Sequence, residues 1–249
     1  MAGRSLKTEA IVLRSLRFGE ADRILHVYTL THGRMGVIAK GARKTKSRFG
    51  GRLEPLSHVE LVLRVGSGEL ATLTGADLVR SHASAREKPY RLAVGLIGAE
   101  AMLRLFPEQE RSDRAFAALT RFLDLLDDLS AREGVRPELD ALGLGFQLKL
   151  LWVAGYLPHL GSCAECGSDG PFVGFSARAG GVVCRECAAA SASIVLTPEG
   201  VAGLEGLLRR PLAEAGQVAL SARGARDILA TVAASYEYHG GFRLRTLSA

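Results

Sequence analysis

Along the first 80 residues, apolar positions fall into short runs rich in Val, Ile, Leu and Thr, covering 10–16, 24–30, 35–40, 58–65 and 69–79. In the fourth run Val59, Leu61, Leu63 and Val65 share one face while Glu60 and Arg64 take the other, which is the two-residue period of a half-buried strand. Phe18-Gly19-Glu20, Thr31-His32-Gly33-Arg34 and Gly66-Ser67-Gly68 separate the runs with turn residues. Five short strands in this length suit a small barrel of the OB type. Many OB folds place a helix between the third and fourth strands; here that interval, 41–55, is a glycine-containing basic stretch.

After Lys88-Pro89 the period becomes helical. Leu92, Leu96, Ala99 and Leu103 mark a helix over 90–106 that Pro107 stops. Ser112 reads as the N-cap of a helix over 113–129, with Phe116, Leu119, Phe122, Leu123 and Leu126 on one face. A third helix opens at Pro137 and runs through Phe146 to Val153, and two more open at Thr197-Pro198 and Ser221. The expected organisation is therefore multidomain: an OB-fold β-barrel over 1–80, a common nucleic-acid-binding scaffold, an α-helical domain over 81–160 and 192–249, and an insert over 161–191.

Composition bounds the partners. The chain has 249 residues and a formal charge of +6, but the first 80 carry 14 Lys/Arg against 7 Asp/Glu, leaving the rest near neutral. Such asymmetry implies an anionic partner for the N-terminal module, either nucleic acid or a membrane surface. From Arg23 to Leu53 there are eight basic residues and no acidic one. Six of them, Lys40, Arg43, Lys44, Lys46, Arg48 and Arg52, lie within 13 residues, where Gly41, Gly50 and Gly51 permit close backbone approach to phosphates. Phe18 and Phe49 border or lie within basic loops; each either stacks on a base or packs on its own barrel. The longest apolar stretch, 142–157, is interrupted by Gln147 and Lys149, and the N-terminus lacks the apolar run of a signal peptide. These features predict a cytoplasmic protein with no membrane partner.

All four cysteines lie in the insert, as Cys163-Ala164-Glu165-Cys166 and Cys184-Arg185-Glu186-Cys187, with 17 residues between the pairs. Two such turns bring four thiolates to one point, the spacing of a zinc site, and Gly167 supplies the positive φ that the first knuckle needs. Four protein ligands close the coordination sphere, so one structural zinc per chain is expected. Disulfides are disfavoured in the cytoplasm, and a redox pair needs one Cys-x-x-Cys in a βαβ setting. The sequence shows neither a phosphate-cradling G-x-x-x-x-G-K-[ST] nor a dinucleotide fingerprint after a strand, so no catalytic residues are assigned and the protein is not expected to be an enzyme. Asp124, Asp127 and Asp128 lie opposite the apolar stripe of their helix and read as its solvated face rather than a cation site. Glu20 and Asp22 read as turn formers or salt-bridge partners.

Several further stretches occur in a fixed order: Phe18-Gly19-Glu20-Ala21-Asp22-Arg23, Lys40-Gly41-Ala42-Arg43-Lys44 with Ser47-Arg48, Leu53-Glu54-Pro55 and Phe146-Gln147-Leu148-Lys149-Leu150-Leu151. Gly155-Tyr156-Leu157-Pro158 then leads to the first cysteine pair, Gly180-Gly181 precedes the second, and Tyr236-Glu237-Tyr238-His239-Gly240 follows. Taken together and in this order, they resemble the RecO family of bacterial recombination mediators. The resemblance implies an N-terminal OB domain, a helical domain and a zinc-finger insert. It implies binding of single- and double-stranded DNA, annealing of complementary strands without ATP, and work with RecR to load RecA onto DNA coated by single-stranded-DNA-binding protein (SSB). It also implies that the helical body binds the acidic, apolar C-terminal tail of SSB, with Arg104, Arg121 and Lys149 as available cations, and that the protein is nucleoid-associated. Two other readings fit the same residues: an RNA-binding OB and zinc-ribbon factor of transcription or translation, and a metal-dependent nuclease. Competition between matched DNA and RNA oligonucleotides separates the first from the DNA reading, and a magnesium-dependent cleavage assay tests the second.

Overall fold

The computed structural model describes residues 4–128 and 134–247 and divides into two compact units, residues 1–129 and 130–249. Five strands open the first unit: β1 (Arg4–Phe18), β2 (Asp22–Thr29), β3 (Gly33–Ala39), β4 (His58–Val65) and β5 (Leu70–Arg80). β1 is long enough to pair antiparallel with both β2 and β4, with a register shift between Val12 and Arg14. β2 pairs with β3 and β4 with β5, both antiparallel, and a short parallel run of Gly36–Ile38 with Leu70–Thr72 joins β3 to β5. The hydrogen-bonded order β1-β2-β3-β5-β4 thus returns to β1 and the sheet closes on itself. Its interior is filled by alternate residues of every strand, including Val12, Leu25, Val27, Val37, Val59, Leu61, Leu63 and Leu73.

Among the described residues of this unit the α-helices are α1 (Ala83–Glu87), α2 (Pro89–Leu105) and α3 (Asp113–Asp128). Ser112 caps α3 as expected, its hydroxyl accepting from the Ala115 N–H at 3.2 Å; Leu129, the expected last residue, lies outside the described residues. The acidic end of α3 corrects the sequence reading. Arg80 lies 3.0 Å from Asp124 and 2.5 Å from Asp128, and Asp127 accepts the Ala85 N–H at 2.9 Å. Asp124 also lies 3.1 Å from Nε2 of the fully buried His82, whose Nδ1 is 2.7 Å from the Leu56 carbonyl. Asp124 and Asp127, 26% and 16% exposed, thus fasten α3 to the end of β5 and to α1, while Asp128, 67% exposed, keeps the solvated position expected of it although it pairs with Arg80.

The second unit contains α4 (Ala141–Val153), a three-stranded sheet of β6 (Phe172–Ser176), β7 (Gly181–Cys184) and β8 (Ile194–Val195) in the order β7-β6-β8, and α5 (Arg185–Ser191), α6 (Pro198–Arg209) and α7 (Ala222–Gly240). Pro137 opens only a short 3-10 turn, and Asp140 caps α4 by accepting from the Gly143 N–H at 3.0 Å. Asp227, 4% exposed, ties α7 to the start of α6 by accepting from the N–H and hydroxyl of Thr197. The Tyr236 hydroxyl donates to Gln147, joining two of the motifs noted above across α7 and α4. No described helix is long and apolar enough to cross a membrane.

Candidate metal centre and nucleic-acid interface

The cysteine insert contains two knuckles built from different local structures. In the first, the Gly167 N–H donates to the Cys163 carbonyl at 2.8 Å, with Gly167 at φ +77°. In the second, β7 delivers Cys184 and the first turn of α5 delivers Cys187. The four sulfurs lie within 4.8 Å of one another, and Cys166 and Cys184 are 3.7 Å apart. A tetrahedral ion with metal–sulfur bonds of ~2.3 Å needs sulfurs ~3.8 Å apart, so the donor set fits one. Backbone N–H groups of Cys184 and Cys166 pull the Cys163 thiol down to about 6, whereas hydrogen bonds among the crowded sulfurs of Cys166 and Cys184 push Cys187 up to about 12. Four thiols at one point resist full ionisation; a divalent cation there removes that repulsion. The apolar packing is small, with Val183 and the buried Cys163 and Cys184 bordered by Phe172, Cys187, Ala188 and Ala192.

The basic stretch between β3 and β4 is ordered by its neighbours. Asp22 accepts the Gly41 N–H at 2.7 Å, the Arg43 N–H donates to the Ala21 carbonyl at 2.8 Å, and the Arg43 guanidinium reaches the Gly19 and Glu20 carbonyls at 3.3 and 3.1 Å. Gly41 sits at φ +68°, where a side chain is strained. At the far end Arg23 lies 3.2 Å from Glu54 and donates to Ser15, and Arg52 donates to the Arg48 and Phe49 carbonyls. Lys40, Arg43, Lys44, Lys46 and Arg48 are exposed and Arg52 is half-buried. Among the described residues none of the six forms an ion pair with a carboxylate.

One expected contact is overturned. Phe49 is 2% exposed and belongs to the core of the closed sheet, with the Arg48 guanidinium lying over its ring. Its flanking arginines and glycines make the segment read as a solvated loop, but the ring plugs the sheet and has no free face for a base. Of these two rings the exposed one is Phe18, half-exposed at the end of β1 beside the Gly19–Asp22 turn. In the second unit Lys149, half-buried, lines a cleft of about 300 Å³ with Trp152, Leu157, Leu160, Leu208 and Arg209. Burial lowers the Lys149 ammonium's pKa, and its Nζ donates to the Leu208 carbonyl at 2.6 Å. Arg104 and Arg121 are exposed on helices of the first unit.

Comparison with known proteins assigns both halves of the chain. Residues 1–82 match the family model described as recombination protein O N terminal, and residues 86–248 the one described as recombination protein O C terminal. Proteins named DNA repair protein RecO resemble the chain over most of their length. That of Rubrobacter xylanophilus is 40% identical over 232 residues, covering 91% of this chain and 88% of the relative. That of Frankia casuarinae is 36% identical over 249 residues, covering 97% and 96%, and that of Anaeromyxobacter sp. strain K is 32% identical over 244 residues, covering 96% and 93%. The chain belongs to the RecO family of DNA repair proteins.

Proposed function

We propose that this DNA repair protein is a strand-annealing recombination mediator rather than an enzyme, and that its closed five-stranded sheet is an OB barrel whose basic loop binds DNA phosphates. The observation that carries the reading is the Lys40–Arg52 run: six cations on a braced frame with no carboxylate partner among the described residues. Lys40, Arg43, Lys44, Lys46, Arg48 and Arg52 neutralise phosphates of single- and double-stranded DNA, and Phe18, in place of Phe49, offers a ring for stacking. Two strands repel through their phosphates; a protein that screens both brings them together with no covalent step and no nucleotide hydrolysis. Annealing of complementary oligonucleotides by the purified protein should proceed equally with ATP, with a non-hydrolysable analogue or with neither. A reproducible need for hydrolysis contradicts the reading.

In this reading the insert, residues 161–191, holds one structural zinc through Cys163, Cys166, Cys184 and Cys187, which contributes folding energy rather than chemistry. The mediator acts with RecR to load RecA onto SSB-coated single strands. The helical region takes the acidic, apolar SSB tail, and the Lys149 cleft offers apolar walls of Trp152 and Leu157 with the Lys149 ammonium in its lining; Arg209, also in the lining, is paired with Glu205 at 3.6 Å and would have to exchange that carboxylate for the tail's. A tail peptide should bind the whole protein by calorimetry at low salt and lose affinity in Lys149→Ala. Absence of binding by the wild-type chain contradicts this part of the proposal.

A further inference from the structure

Two adjacent residues at the start of β2 grip opposite ends of the basic loop. The Asp22 carboxylate accepts the Gly41 N–H at the loop's beginning, at 2.7 Å, and the Arg23 guanidinium lies 3.2 Å from Glu54 at its end. Between these grips Phe49 and Leu53, each 2% exposed, pin the loop to the sheet interior. What remains outside is the turn carrying Lys44, Lys46 and Arg48, itself closed by the Lys44 N–H to the Gly41 carbonyl at 3.1 Å and the Ser47 N–H to the Lys44 carbonyl at 2.9 Å. Gly41 takes φ +68°, a conformation that an unattached loop leaves readily, so the Asp22 contact fixes where the turn begins.

We propose that Asp22 and Glu54, two carboxylates beside an anion-binding surface, are positioning residues for DNA: they hold the loop in the one shape that presents Lys44, Lys46 and Arg48 together. The proposal rests on the reading of this loop as the DNA site. The sign of the effect separates positioning from simple electrostatics. A carboxylate near DNA repels phosphates, so removing it should tighten binding if charge alone matters. If its role is to shape the loop, removing it should weaken binding, because preorganisation is lost. Asn at position 22 keeps an oxygen that accepts the Gly41 N–H and drops the charge, so it isolates the two effects.

The test is the affinity of the full-length protein for a fluorescent oligothymidine, measured by anisotropy across a salt series, with thermal melts to verify folding. Asp22→Ala should bind about tenfold more weakly, the size expected for one lost hydrogen bond to a charged acceptor. Glu54→Ala should bind about two- to threefold more weakly, as befits a half-exposed ion pair. Asp22→Asn should bind at least as tightly as wild type. A Lys44→Ala/Lys46→Ala double variant serves as the reference for the DNA reading, losing about 1.4 units of salt slope. If that reference behaves as expected while the alanine variants at 22 and 54 bind equally or more tightly, the positioning role is overturned and the DNA site stands. If the reference keeps wild-type affinity and slope, the DNA reading fails and the positioning role fails with it. Should Asp22→Ala not fold, Glu54→Ala decides by its sign, since that side chain is 42% exposed and outside the core.

Discussion

The basic loop and the cysteine insert each gather polar groups of one kind, and they differ in what holds them in place. The loop is mounted on a sheet whose core includes Phe49 and Leu53 and is braced by Asp22, Arg23 and Arg43, so its cations keep their arrangement without a ligand. The insert has a much smaller apolar core, and its cysteines make up a large share of that core. Where the frame is built by burial, a ligand is an addition to a finished fold. Where the frame is built around the donors, the ligand is part of folding.

Breaking the comparison from the insert side should give the largest effect. Replacing Cys163 and Cys166 with Ser, or stripping metal with a chelator, removes a contribution of ~10 kcal/mol or more. Hydrogen exchange should then become rapid over 161–191 while protection in β1 to β5 is unchanged. Protein prepared without chelator, with reduced thiols and no zinc by elemental analysis, contradicts the metal assignment. The frame of the loop is tested by Phe49→Ala, which should destabilise the first unit by about 3–5 kcal/mol as a core truncation. Phe18→Ala should leave the melt unchanged and weaken single-strand binding by about 1–3 kcal/mol with little change in salt slope. If instead Phe49→Ala keeps the wild-type melt, the ring is not the plug described.

The smallest effect is a pH dependence. Burial lowers the His58 pKa below its ordinary 6.5 despite the Glu9 carboxylate 2.8 Å away, and burial likewise lowers His26. Above 6.5 both rings are neutral in the folded and unfolded chain and contribute nothing to the pH dependence. As pH falls below 6.5 the unfolded chain takes up protons first, so stability declines toward the folded-state pKa. His58→Gln should flatten the decline of melting temperature between pH 7 and pH 5, and an unchanged slope contradicts the assignment.

Much of this was readable from pattern. The two-residue period placed β4 at its observed bounds, and Ser112, Thr197 and Ser221 each cap a helix by accepting an N–H three residues on. The cysteine spacing anticipated the converging sulfurs. What pattern missed depends on tertiary closure. Phe49 sits among arginines and glycines, and only the curvature of the loop turns its ring inward. Asp124, Asp127 and Asp128 occupy the polar side of α3, but that side meets Arg80 and His82, which are distant in sequence. α1 has five residues, too few to show a period, and β6 to β8 are short and interrupted by glycine and cysteine. Asp22 read as a turn former or salt-bridge partner, and nothing local marks the Gly41 N–H as its partner.

The central claim is that the loop presents its free cations to phosphates from a finished frame. It is tested most directly by the salt dependence of single-strand affinity in a Lys44→Ala/Lys46→Ala/Arg48→Ala variant that melts like wild type. Each phosphate contact on a single strand contributes about 0.7 to the slope of log K against log salt, so the variant should lose about 2 units, equally for different base sequences. A folded variant with wild-type affinity and slope contradicts the account and moves the DNA site to another surface.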